Sequence, residues 1–106
     1  DNVIEMNIRS IKANSGAANN VYNVAFGERT TLNELVDSLK KHLSKYDPKI
    51  KDIAVIYGPE RQGDVPHSLA SIEKAKKNVG YHPSYNIDSG LKEAVKWYFE
   101  NYKDKL

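Results

Sequence analysis

The chain has 106 residues, enough for one domain and too few for a catalytic sheet with a separate binding lobe. Sixteen lysines and arginines against fourteen aspartates and glutamates give a net charge of +2, interspersed along the helical segments; this balance argues against nucleic acid or an anionic membrane as the main partner. With no cysteine there is neither a disulfide framework nor a thiolate metal site, which fits a reducing cytoplasm, and no apolar run approaches the roughly 20 residues of a membrane span.

In chain order, Val3, Ile4, Ile8 and Ile11 form an apolar stripe at helical spacing, predicting a helix from residue 2 to about 13 that ends at Asn14-Ser15-Gly16. Because the stripe starts almost at Asp1, the chain reads as a piece of something longer. Val21–Phe26 is β-prone and predicts a strand. Gly27–Thr30 turns the chain into a second helix whose start is marked by Thr31-Leu-Asn-Glu34, a capping box, and whose stripe is Leu32, Leu35, Val36, Leu39, Leu43 and Tyr46. Asp47-Pro48 ends it, and His42, on the flank of the stripe, reads as a surface residue.

Residues 53–57 predict a second strand, leading into the loop RQGDVPHS. Ser71 is the expected cap of a helix through Val79, stopped by Gly80 with Pro83 beyond; Tyr81 and Pro83 read as packing after the stop, and His82 as a turn residue. A last helix from near Asn86 carries Ile87, Leu91, Val95, Phe99 and Tyr102 on one face, with Trp97 and Tyr98 read as core or domain packing. The fold class expected is α/β: one small, mostly helical domain over residues 1–106 with a short parallel sheet. Two strands make a poor independent sheet, so the piece calls for a partner layer.

Several chemistries are excluded by pattern. The glycines at 16, 27, 58, 63, 80 and 90 do not make a dinucleotide fingerprint or a phosphate-binding loop, and no tyrosine has a lysine four residues later. His42, His67 and His82 have no metal-ligand spacing, so no metal is expected. The loop stands out instead. Arg61 is a planar fork suited to phosphate oxygens, Gly63 permits close backbone approach, and Asp64 can accept hydrogen bonds from vicinal hydroxyls. Taken alone, these residues equally describe a turn in which Asp64 caps backbone amides and Arg61 pairs with Glu60.

The loop has company. VYNVAFGERTTLNEL, YGPERQGDVPHSLASIEKAKKNVGYHP and GLKEAVKWY, in this order and spacing, resemble the C-terminal part of NAD-dependent sugar-nucleotide epimerases of the extended short-chain dehydrogenase/reductase family. Asp1-Asn2-Val3 resembles the end of a segment that leads into this region, so nearly the whole chain is covered, least well at 12–20 and 45–53. The blocks are most similar to UDP-N-acetylglucosamine 4-epimerases. GDVP is also spelled in uronic-acid epimerases, but the arginine and RTTLNEL favour the N-acetylhexosamine group.

The resemblance implies substrate-binding roles for Arg61 on the diphosphate and Asp64 on the uridine ribose, with Gly63 and Val65 shaping the loop. His67 and Ser68 are candidate supports for Asp64. It implies no catalytic residue in this chain, NAD held by an N-terminal Rossmann domain lying before Asp1, a UDP-sugar ligand, and a homodimer formed through helices this chain lacks. The 106 residues are expected to be inactive alone and to expose apolar surface where that domain docks, and hence to self-associate. The alternatives are a related nucleotide-sugar dehydratase or dehydrogenase, a uronic-acid epimerase, and a stand-alone small α/β binding module.

Overall fold

A computed structural model describes residues 1–65 and 68–103. Among these residues four α-helices follow one another: α1 (Asn2–Lys12), α2 (Leu32–Leu43), α3 (Glu73–Val79) and α4 (Ile87–Tyr102), with short 3-10 turns at Ser15–Ala17 and Pro48–Asp52. No helix is long and apolar enough to cross a membrane among the described residues. The chain divides into two compact units, Asp1–Arg29 with Leu69–Asn86, and Thr30–Ser68 with Ile87–Leu106.

The first unit is built on α1 and α3. Its core is Met6, Ala17, Ile72, Ala75, Val79 and Tyr81, with Ala13, Tyr22 and Ala25 packed around it. Tyr81 is fully buried and satisfies its hydroxyl by donating to the Ala25 carbonyl at 2.8 Å. Gly80 sets this up. Its φ of +70° lets α3 end in a left-handed residue, with Gly80 N–H donating to Lys76 O and Tyr81 N–H to Ala75 O. That pair of bonds satisfies two of the helix's last carbonyls and turns Tyr81 inward.

The α1 helix forms as the spacing predicts, but faces the other way. Asn2 and Met6 lie inward: the Asn2 amide donates to Tyr85 O at 2.7 Å and its oxygen accepts from the Ser84 and Tyr85 N–H groups. At about 100° per residue, Ile4, Ile8 and Ile11 then lie on the opposite side, with Val3 on the flank between. They are 48–84% exposed. The stripe taken for core is an apolar outer face.

Neither predicted strand is present among the described residues, so the α/β expectation gives way to a helical structure. The reason is physical: a strand is defined by a neighbour that takes its N–H and C=O groups, and no ladder partner stands beside either segment. Residues 21–26 are fixed at their edges by side chains instead. Lys74 Nζ donates to Val21 O, the Asn23 amide to Ser71 O, and Tyr22 Oη to Ala17 O at 2.7 Å. Ser71 does not cap α3; the helix starts at Glu73, with Ile72 at the N-cap position and no side-chain cap.

The second unit pairs α2 with α4. The capping box forms as predicted: Thr31 Oγ1 accepts from Glu34 N–H at 3.2 Å, and Glu34 Oε2 accepts from Thr31 N–H at 2.7 Å. The bond from the Thr31 backbone N–H, and then the Thr31 hydroxyl beside it, favour the carboxylate and hold the Glu34 pKa below its ordinary value. Val95 is buried on α4, and Phe99 stacks on Tyr46 with ring centroids 4.5 Å apart. Trp97 and Tyr98, read as core or domain packing, are more than half exposed because they sit off that face, so they are not part of the core.

Candidate functional site

The RQGDV loop lies in the second unit, after an extended segment that is tied down where Tyr57 Oη donates to Asn33 Oδ1 at 3.3 Å. Arg61-Gln62-Gly63-Asp64 is a tight turn closed by Asp64 N–H donating to Arg61 O at 3.1 Å. Gly63 has φ +90° at the third turn position, where an L side chain is strained and glycine is at ease. No atom stands within 4 Å of where its Cβ would be, so the glycine is required by backbone conformation and not by a close neighbour within the protein.

Arg61, Asp64 and Val65 are all exposed. The bland reading of the loop made Asp64 a cap and Arg61 the partner of Glu60. Among the described residues neither contact forms, and the two charged side chains have no hydrogen bond or ion pair. The turn therefore presents a guanidinium and a carboxylate three residues apart on one short, glycine-set bend. His67 lies outside the described residues.

A second polar cluster escaped sequence reasoning. His42, read as a surface residue, is 3% exposed. Its Nε2 lies 2.9 Å from Asp88 Oδ1, Ser38 Oγ donates to the same oxygen at 2.6 Å, and Lys41 Nζ is 3.3 Å from the carboxylate. The Ser38 hydroxyl, then His42, hold the Asp88 pKa down at about 2. Serine, histidine and aspartate meet here, but the serine points at the aspartate and not at the imidazole. No base stands ready to activate that hydroxyl, so the cluster is a clamp between α2 and α4 and not a nucleophile relay. The available signal was the Ser38/His42 spacing of one helical turn; its partner Asp88 lies 46 residues on from His42.

Among the described residues no group of three or more His, Asp or Glu side chains could hold a metal ion. The glycine pattern of the chain does not fit a dinucleotide.

No family profile matches the chain. Individual curated proteins do. The chain is 33% identical over 91 residues to UDP-glucuronate 4-epimerase 1 of Arabidopsis thaliana, covering 86% of this chain and 20% of that protein. UDP-glucuronate 4-epimerase 2 of the same plant gives 33% over 92 residues, 87% of this chain and 20% of the relative. A probable UDP-glucuronate 4-epimerase of Rhizobium meliloti gives 30% over 83 residues, 78% and 23%. Most of this chain is related to a segment of nucleotide-sugar 4-epimerases. It spans about a fifth of the length of these relatives, so the RQGDV turn and the His42–Asp88 clamp are parts of a region, and the relatives' remaining length has no counterpart in the 106 residues.

Proposed function

We propose that this chain is the C-terminal, substrate-side part of an NAD-dependent nucleotide-sugar 4-epimerase, and that its RQGDV turn grips the nucleotide of a UDP-sugar. The observation that carries the reading is the turn itself: Arg61 and Asp64 are exposed on a bend set by Gly63, with no partner for either charge among the described residues. A guanidinium fork meets diphosphate oxygens bidentately, and a carboxylate accepts from the two hydroxyls of a ribose. Gly63 and Val65 shape the contact. Remote binding of this kind holds the unreactive end of the substrate while the sugar is positioned elsewhere for its chemistry. NAD belongs to an N-terminal Rossmann domain in this reading, and so do the catalytic groups; the 106 residues alone are inactive, and the whole enzyme is a homodimer of the cytoplasm.

Two sugars compete. The Arg61 and RTTLNEL pattern favours UDP-N-acetylglucosamine, whereas the names of the relatives favour UDP-glucuronate. The test is steady-state kinetics on the full-length enzyme with both substrates. Arg61→Ala should raise KM for the preferred UDP-sugar by roughly 10- to 100-fold, as expected for loss of a charged hydrogen bond, with a smaller change in kcat. An unchanged KM rules the clamp out, and the substrate with the higher kcat/KM decides between the sugars.

A further inference from the structure

Residues 53–60 reach the RQGDV turn as an extended, exposed run with no strand beside it among the described residues. Such a run does not by itself hold an arginine and an aspartate in place, since each unpaired residue keeps its backbone freedom. Among the described residues, 54–60 make one hydrogen bond. Tyr57 Oη donates to Asn33 Oδ1 at 3.3 Å, across 24 residues of sequence.

The accepting end of that bond is itself fixed. Asn33 is the second residue of α2, between Thr31 and Glu34, whose reciprocal bonds set the first turn of the helix. At the donating end, Tyr57 stands four residues before Arg61, a reach of at most about 14 Å. Pro59 lies between them; its ring fixes one φ and biases Gly58 toward extension. Capped helix end, tyrosine hydroxyl, proline and Gly63 bend thus form one series of constraints that ends at the two charges. Tyr57 is 76% exposed, so its ring is not held in a core, and the hydroxyl contact is what ties the residue down.

We propose that Tyr57 and Asn33 are positioning residues: their bond holds the Arg61–Asp64 turn in the conformation that grips the nucleotide, acting through the backbone of residues 58–60. This rests on the nucleotide-sugar reading of the turn. Preorganising a grip reduces the freedom lost on binding, so the effect belongs in KM and not in kcat. Loss of a single exposed hydrogen bond sets its scale at roughly three- to tenfold.

Steady-state kinetics of the full-length enzyme tests it, beside ¹⁵N relaxation of the 106-residue chain. Tyr57→Phe and Asn33→Ala should each raise KM for the UDP-sugar by roughly three- to tenfold with kcat little changed. The double variant should do no more than either alone, because both remove the same bond. Asn33→Asp keeps an acceptor oxygen at that position and should leave KM near its original value. In the 106-residue chain, the order parameters of Gln62 and Gly63 should fall in Tyr57→Phe while those of α2 stay as they were. Where Arg61→Ala raises KM, an unchanged KM in Tyr57→Phe overturns the proposal, and so do additive effects in the double variant. A Tyr57→Phe effect that Asn33→Ala does not share also overturns it, and puts the hydroxyl on the substrate instead. If Arg61→Ala is silent, the nucleotide reading has failed and the order parameters decide alone: unaltered values in Tyr57→Phe overturn the tether.

Discussion

The unit that contains α1 and α3 is organised around one aromatic side chain, whereas the unit of α2 and α4 is organised around one carboxylate. Tyr81 has no exposed surface and one neutral hydrogen bond. Asp88 is half exposed and gathers Ser38, Lys41 and His42. Apolar burial is indifferent to direction and scales with area, so the first unit tolerates an α1 rotated away from its most apolar side as long as Met6 and Tyr81 are covered. A hydrogen-bonded clamp is directional and charged, so the second unit depends on geometry and on the protonation of a single group. One chain thus contains two ways of joining a pair of helices, with opposite sensitivities.

The largest expected effect falls on the apolar side of the contrast. Tyr81→Ala should destabilise the first unit by about 3–5 kcal/mol, the usual range for removing a large buried aromatic. Tyr81→Phe, which loses only the bond to Ala25, should cost about 1 kcal/mol. Denaturant titration followed by amide hydrogen exchange assigns the loss to its unit; equal costs for the two variants would mean that the hydroxyl and not the ring holds the unit together. Next comes the clamp. His42→Ala should cost about 2 kcal/mol, because it removes a buried ring and its bond to a carboxylate. Trp97, the one tryptophan, lies on α4 and reports this unit by its fluorescence.

The pH responses separate the units further, and in opposite directions. Asp88 is more acidic in the folded protein, at about 2, than an ordinary aspartate. Its contribution is therefore complete above about pH 4 and is lost as pH falls from about 4 toward about 2. Tyr81 is raised above its usual value, chiefly by burial and secondarily by the nearby Glu5 charge. Its contribution is complete below about pH 10 and is lost as pH rises beyond that. Acid titration of the Trp97 signal should show a transition that Asp88→Asn removes, while alkaline unfolding should persist in that variant. The smallest effect belongs to the cap: Thr31→Ala should lower the thermal midpoint of the second unit at a cost of about 1 kcal/mol.

What the sequence revealed follows from the range of the interactions concerned. The α2 capping box and the Gly80 stop are decided within four or five residues, and both stand where the spacing puts them. The strand expectations failed because Val21–Phe26 and residues 53–57 state only a preference for extension; pairing has to come from elsewhere in space. The α1 stripe was correct as periodicity and misleading as orientation, since no local signal says which side of a helix Asn2 will clamp. His42 was missed because its partner sits on another helix. For the candidate site, residue types and spacing identified the turn at Arg61–Asp64, and the structure adds the Gly63 conformation and the lack of partners for the two charges among the described residues.

The clamp has a consequence for how the chain behaves when cut. Arg61 is exposed on a bend that trypsin can reach, and cleavage after it would leave α2 and α4 on different polypeptides. Ser38, Lys41 and His42 would still grip Asp88, and Tyr46 would still lie on Phe99. A nicked molecule would thus behave as a non-covalent heterodimer, intact at neutral pH and loosened by acid as Asp88 takes up its proton.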